Sequence, residues 1–591
     1  MNILFLSPIT VPYNALVHLL GDPKFRKDLV LGDDKKNYNK ITMPMGILYL
    51  GAVIQKSLPD ANIDVVDLAK ILCEYNNCND REAISVKRFI HDALKKSLAE
   101  SYQPTMIGIS ILFSSAHKTS MDLAEVCREI WPKTPIVLGG VHSTNAVDSI
   151  LENKAVDYVC KGEAESIIVE MVQKANQGEA LDTIQGVISR SKLAESEVNK
   201  RALPSSPLIN NLDEIPFPAW NLIPMSEYIS SGRARRMDNN LHYYAATIIT
   251  TRGCPFHCTF CSSWTVHGRK MRYRSTENVI KELEILTEKY GVNSIIPEDD
   301  LFTVKKPRII ELCNTIHERF QGKLDIQFPN GLSVATLDED VIETLCKAGI
   351  SVVNVAIESG SKYTQKHIIK KNCNLERAKK VTKLFYDKGV ITRTYFVIGF
   401  PGETRELIKE SLDYASSLQI DWIFIALAAP LIGSEMYKQL IERGDIDTSY
   451  NWDNAFYQER TFDTPEVSAK ELKNIMQLAN LKMNFFENYN IRTENWDRAI
   501  TLFINIIDDY PLHLAGLYCL AICYRGKGDE ATYEKYMKRC RKLIVNESRN
   551  NLAKLHMRLA PDAFPLEFHR IGFEPMIPSL KGKMSTNKTP W

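Results

Sequence analysis

The sequence predicts an α/β chain in three parts: an N-terminal doubly wound, Rossmann-like parallel sheet, a partial (β/α)6 barrel, and an α-helical C-terminal domain with a tetratricopeptide-like (TPR-like) unit. Three observations predict it. Short apolar strands alternate with helical segments over residues 1–190, the alternation resumes over 241–440 after a proline-dense span, and periodic helices take over from 441. A chain of 591 residues is too long for one core. With 45% hydrophobic and 25% charged residues it has an ordinary globular balance, and a net charge of +1 argues against a nucleic-acid partner.

In the first domain (1–190) the expected strands are Ile3 to Leu6, Ile63 to Val66, Met106 to Ile111, Ile136 to Leu138 and Tyr158 to Cys160. Ligands of such sheets bind beyond the carboxyl ends of the strands. Those ends carry Ser7-Pro8, Ser110, Gly139-Gly140-Val141-His142-Ser143 and Lys161-Gly162-Glu163, and the glycines would let a bulky planar ligand approach the backbone. The N-terminus lacks the charged start and long apolar run of a signal peptide, and no apolar segment is long enough to cross a bilayer.

Residues 191–240 read as a proline-rich linker, with Pro204, Pro207, Pro216, Pro218 and Pro224 favouring an extended strap. Arg233, Arg235 and Arg236 read as a surface loop. The barrel (241–440) opens with a β-branched strand, Ala246 to Thr250, that Arg252-Gly253 turns into a loop carrying Cys254, Cys258 and Cys261. Iron–sulfur clusters are normally held by four cysteines and structural zinc is four-coordinate, so a lone trio predicts a metal with an open position. A zinc knuckle completed by His257 or His267 is the alternative, but the second ligand pair such sites usually repeat is absent. Later strands are expected at Ser294 to Pro297, Ile326 to Phe328, Val352 to Ile357, Thr392 to Ile398 and Trp422 to Leu427. Active residues project from such carboxyl ends.

The three-cysteine spacing with Phe260 before the last cysteine resembles the radical S-adenosylmethionine (radical SAM) enzymes. Ser110-Ile111-Leu112 and Gly139-Gly140, 26 residues apart, resemble the S-x-L and G-G pattern of the cobalamin-binding branch of that family, and Ile215-Pro216-Phe217-Pro218-Ala219-Trp220 resembles its connector. The resemblance implies a cobalamin-binding Rossmann-like domain before a radical SAM barrel. It implies that Cys254, Cys258 and Cys261 hold a [4Fe-4S] cluster whose fourth iron chelates SAM, and that an electron from the cluster cleaves SAM to a 5'-deoxyadenosyl radical. Asp67-Leu68-Ala69-Lys70-Ile71-Leu72 keeps only the aspartate of the D-x-H-x-x-G motif, so cobalamin is expected without a lower histidine.

By the same resemblance, SAM contacts are expected from Phe260, Glu298, Asp299, Asp300, Asn330, Glu358, Ser359, Arg393 and Gly399. Arg393 would either meet the SAM carboxylate or brace Glu358. Cobalamin contacts are expected from Ser7, Pro8, Ser110, Leu112, Gly139, Gly140, Val141, His142, Gly162 and Glu163. The implied activity is methyl transfer from methylcobalamin to an unactivated carbon of a small-molecule or peptide substrate. The rivals are a cyclase or rearrangement enzyme without methyl transfer, and a catalytically silent scaffold. An external electron donor of flavodoxin or ferredoxin type is implied, and an oxygen-labile cluster with free thiols points to the cytoplasm.

The helical domain (441–575) contains a unit from Asn495 through Gly528 spaced like a tetratricopeptide pair, read as a lid over the barrel or a site for a protein partner. Cys519 and Cys523, four apart, read as core. The polar tail, 576–591, is expected to be disordered.

Overall fold

The computed structural model describes residues 1–21, 41–77, 82–231, 244–371, 373–452, 457–545 and 551–571. Arg233, Arg235, Arg236 and the tail 576–591 lie outside the described residues.

The first sheet consists of β1 (Asn2–Ser7), β2 (Asn62–Asp67), β3 (Met106–Ser110), β4 (Ile136–Gly139), β5 (Tyr158–Cys160) and β6 (Val187–Ile188), in the order β2-β1-β3-β4-β5-β6. The first five are parallel; β6, which the sequence pattern did not signal, is an antiparallel edge of two residues. Helices cover both faces. One face buries Leu4, Leu6, Ile107, Ile109 and Leu138, the other Ile3, Phe5, Met106 and Val137, which is why these strands read as unbroken apolar runs.

The barrel sheet has β7 (Ala245–Ile248), β10 (Ser294–Pro297), β11 (Asp325–Ser333), β12 (Ile350–Glu358), β13 (Ile391–Ile398) and β14 (Trp422–Leu427), all parallel. Its six strands leave an open edge at each end. Between β7 and β10 sits a two-residue ribbon, β8 (Thr251–Arg252) against antiparallel β9 (Arg272–Tyr273), so the chain after β7 does not simply turn into the cysteine loop. β11 is longer than its apolar run because a register break between Phe328 and Leu332 carries Asn330 and Gly331.

Of the segment expected as a strap, residues 201–224 run extended apart from two short 3-10 turns, while its ends are helical in Arg190–Asn199 and Met225–Ser231. Its Trp220 is 3% exposed in the barrel core, Ala219 N–H donates to the Leu48 carbonyl at 3.0 Å, and Ser206 N–H donates to the Lys161 carbonyl at 2.9 Å. Met45, Leu48 and Tyr49 of the first domain share that core, so the two α/β domains are packed as one body.

The helical domain covers an edge of the barrel. A helix (Ala469–Leu481) and the turn of π-helix after it (Lys482–Phe486) run along β14. Three asparagines four residues apart face that strand. Asn484 accepts from Ile423 N–H and donates to its carbonyl, both at 2.8 Å; Asn480 donates to the Ile425 carbonyl at 3.1 Å and Asn488 to that of Asp421 at 2.9 Å. Their amides stand in for a missing strand. The helices Trp496–Asp509 and Leu514–Gly526 follow and pack around Phe503, Leu520, Cys519 and Cys523 in a third core.

Candidate functional site

The cysteine loop, 253–271, is tied down on three sides. Gly253 has φ 94°, and a Cβ there would stand 2.5 Å from the Lys270 carbonyl, so the position requires glycine. Cys254 N–H donates to the Gly268 carbonyl at 3.3 Å, Thr259 N–H to that of Ile369 at 3.0 Å, and Met436 N–H to that of Thr259 at 2.8 Å. All three thiols are free and half-buried. Burial pushes the Cys258 thiol up to about 11 despite the Lys371 ammonium nearby, and raises that of Cys254. Only thiolates bind metal, so a metal's own positive charge must drive the deprotonation.

Among the described residues no three His, Cys, Asp or Glu side chains converge on a single ion. His267 is engaged with Glu163 at 2.7 Å and His257 is exposed, so neither completes a zinc tetrahedron with the trio. A cluster asks less convergence, because each thiolate takes its own iron. The thiols of the trio are close enough to raise one another's proton affinity.

The acids after β10 divide. Asp299, 9% exposed, accepts from Thr250 N–H at 2.9 Å, from Thr250 Oγ1 at 3.0 Å and from Thr251 N–H, while its Oδ2 is buried without a hydrogen-bond partner. Burial raises its carboxyl to about 6. Asp300 accepts from Gly253 N–H at 3.3 Å. These two carboxylates, expected among the SAM contacts, hold the turn that launches the cysteine loop. Glu298, half-buried, stands at the carboxyl end of the strand, its N–H on the Ile248 carbonyl at 2.9 Å.

Glu358 ends β12 with φ 69°, unusual for a non-glycine, and receives Lys371 Nζ at 2.8 Å in a mostly buried pair. Lys371 escaped the sequence reading because no strand-end pattern marks it. Ser359 is fully buried with its hydroxyl 2.7 Å from that of Ser411, which takes it out of the barrel interior. Arg393 Nε donates to Asn354 Oδ1 at 2.8 Å and its guanidinium lies 5.5 Å from the Phe424 ring. Asn330 is exposed at the bulge. Phe260 packs its ring 5.7 Å from Phe400. Gly399, at φ 86°, gives its N–H to buried Glu403 at 2.7 Å, and a Cβ there would meet Leu472 at 2.3 Å, so it shapes the turn.

At the first sheet, Ser7, Ser110 and Val141 are half-buried and Pro8 is buried at strand ends, while Leu112 stands 50% exposed beside Phe113. A Cβ at Gly139 would find only Cys160 Cβ, at 3.8 Å; at Gly140, φ 100°, it would strike the Ile111 carbonyl at 2.5 Å. Gly162 (φ 95°) donates its N–H to Thr144 at 3.0 Å. This small-residue rim flanked by exposed apolar side chains fits a planar apolar ligand.

Two expected contacts are committed elsewhere. His142 is 1% exposed, with Nδ1 3.0 Å from Ser114 Oγ, Nε2 2.9 Å from His117 Nδ1 and its ring against Trp452. Burial pulls His142 down to about 3 and His117 to about 4, so both are neutral near pH 7. Glu163 is bonded to Arg272 and His267 rather than offered to a ligand. Asp67 caps the following helix through Ala69 N–H at 2.9 Å and accepts from Tyr228 OH at 2.8 Å.

The two strand-end surfaces meet. Asn145, at the carboxyl end of the first sheet, donates to Thr265 of the cysteine loop at 2.9 Å, beside the bond from Glu163 to His267. The cysteine loop is thus docked on the ligand end of a parallel-sheet domain.

Comparison with known proteins agrees. Residues 248–415 match the model of the radical SAM superfamily and residues 37–172 that of the B12 binding domain. The chain is 26% identical over 524 residues to a cytidylyl-2-hydroxyethylphosphonate methyltransferase of Streptomyces wedmorensis, covering 83% of this chain and 95% of that one. It is 31% identical over 356 residues to an uncharacterized methyltransferase of Pyrococcus horikoshii, covering 60% and 73%. The solved structure of the cobalamin-dependent S-adenosylmethionine radical enzyme OxsB with aqua-cobalamin bound superposes with a TM-score of 0.59 at 14% identity, covering 95% of this chain and 84% of that one, a likeness of fold. The chain belongs to the cobalamin-dependent radical SAM family. Its cofactors are a [4Fe-4S] cluster, SAM and cobalamin.

Proposed function

We propose that this enzyme is a C-methyltransferase that moves a methyl group to an unactivated carbon of a small-molecule or peptide substrate. The observation that carries the reading is the docking of the cysteine loop on the carboxyl end of the first sheet, which puts radical generation and methyl donation on one frame. When bound, the cluster and SAM supply the radical that activates the substrate carbon, and cobalamin supplies the methyl group. Both long relatives carry methyltransferase in their names.

In this reading Cys254, Cys258 and Cys261 hold the cluster, and Asp299 and Asp300 fix the turn that delivers them. Glu298 and Glu358 face SAM, with Lys371 pairing with Glu358 and orienting it. Gly139, Gly140, Ser110 and Leu112 form the cobalamin rim. The inner face of the barrel offers the substrate Tyr395 and Phe424, 5.4 Å apart, with Arg393 and Asn354 beside them.

Cluster reduction would come from a flavodoxin- or ferredoxin-type donor. With every described cysteine free, a reducing cytoplasm suits the protein. Among the described residues no helix is long and apolar enough to cross a membrane. The helical domain acts as a brace on β14 rather than a lid.

The deciding experiment incubates the reconstituted enzyme, under reductant, with candidate substrates and methyl-deuterated SAM. Label in the product is expected. An unlabelled, cyclised or rearranged product would overturn methyl transfer, and no SAM cleavage at all would leave a scaffold.

A further inference from the structure

Two arginines face each other across the ribbon that closes the base of the cysteine loop. Arg252 is opposite Arg272 in the β8–β9 register, and they are 5% and 4% exposed. Like charges directly opposite on paired strands are destabilising, and a ribbon of two residues a side has no stability of its own to set against that.

The compensating charge comes from the other cofactor domain. Glu163, just past β5, accepts from Arg272 Nη1 at 2.8 Å and Nη2 at 2.5 Å, and lies 3.2 Å from Arg252 Nη1. Glu165 accepts from Arg252 Nη2 at 2.6 Å, and His267 Nδ1 stands 2.7 Å from Glu163. Burial alone would raise the Glu163 carboxyl, yet the hydrogen bonds from Arg272 and His267 and the charge of Arg252 hold it well below the usual range. The backbone around Glu163 is fixed in turn. Its carbonyl accepts from Ser206 Oγ of the strap, and a Cβ on preceding Gly162 would strike that same oxygen at 2.8 Å.

We propose that Glu163, assisted by Glu165, is a positioning residue: it completes the base of the cysteine loop from the cobalamin domain and so sets the separation between cluster and cobalt. The bidentate grip on Arg272 fixes an angle as well as a distance, which a single flexible ion pair does not. Undocked, the loop base would hold two adjacent arginines without the carboxylates that neutralise them. The frame of the metal loop is therefore complete only with both domains in place.

The inference rests on the cluster and cobalamin sites proposed above. Its test is pulsed electron paramagnetic resonance on holoenzyme reconstituted without oxygen, measuring the dipolar coupling between cob(II)alamin and the reduced cluster. Wild type should give one narrow distance distribution. Glu163→Gln should broaden or shift it while cluster and cobalamin content stay at wild-type levels, and an unchanged distribution overturns the clamp. If Glu163→Gln does not fold or load, Arg272→Lys decides, since it keeps the charge and removes the bidentate grip: broadening supports the clamp, and a wild-type distribution overturns it. Failure of wild-type protein to retain cobalamin or cluster would overturn the cofactor sites themselves, a result distinguishable from failure of the clamp.

Discussion

Lys371 and Glu358 show how much one residue beside the cysteine loop has to settle. Replacing Lys371 with Met leaves the Glu358 carboxylate buried beside the cysteine thiols without its cation. Breaking a buried pair from one side costs about 3–5 kcal/mol. Lys371→Met should unfold at correspondingly lower denaturant and bind SAM more weakly, readable by equilibrium unfolding and by SAM titration of the reconstituted protein. Cys258→Ala should lose the visible iron–sulfur absorption while keeping far-ultraviolet dichroism, because the thiol is only half-buried.

The His117 and His142 pair gives a pH dependence. Their folded affinities for protons are depressed to about 4 and about 3, below the ordinary histidine value of 6.5. Below pH 6.5 the unfolded chain takes up protons that the folded chain refuses, so stability falls as pH drops, by up to about 1.4 kcal/mol per pH unit per histidine. The decline should run from pH 6.5 towards 4, and His117→Phe with His142→Phe should lessen it in denaturant titrations at pH 7 and 5.5, the similarly buried His513 and His556 supplying the rest. His142 was expected at the corrin because it follows two strand-end glycines. The sequence could not reveal Trp452, more than 300 residues away, closing over it.

At the scale of elements, the strands were legible because a sheet buried on both faces leaves runs of Val, Ile and Leu. Tyr158–Cys160, Ser294–Pro297 and Trp422–Leu427 fall where expected. The ribbon β8–β9 and the two-residue β6 were not, since elements that short have no periodicity to detect. Nor were the asparagines of the barrel edge, whose partners lie 55 to 67 residues back in the chain. Asn484→Leu keeps the branched shape and strands both polar groups of Ile423, at about 1–3 kcal/mol each. It should lower the unfolding midpoint clearly, whereas a leucine at exposed Asn199 should be near neutral.

For the whole molecule, the cysteine spacing announced a metal with an open position, and the three cofactors followed from the resemblance its motifs carry. How the domains meet was written in pairs such as Glu163 with Arg272, 109 residues apart, which local pattern cannot expose. A shared core and the strap make the α/β domains one body, so separately expressed halves should not reassemble a holoenzyme of native cofactor content. Chromatography and metal analysis of the two fragments mixed after purification would check this.

The asparagine row also sets a clock for biosynthesis. β14 is complete at Leu427, but its polar edge meets its partners only after Asn480, Asn484 and Asn488 have been made. At the usual 5–20 residues per second, the nascent barrel carries an unsatisfied strand edge for roughly 3–12 s on each ribosome. Chains that stop in that interval should be captured by chaperones or aggregate. Ribosome-stalled chains lengthened by a linker so that residues up to 450 or up to 500 have left the exit tunnel should therefore differ sharply in chaperone occupancy, and equal occupancy would show that the edge is protected by other means.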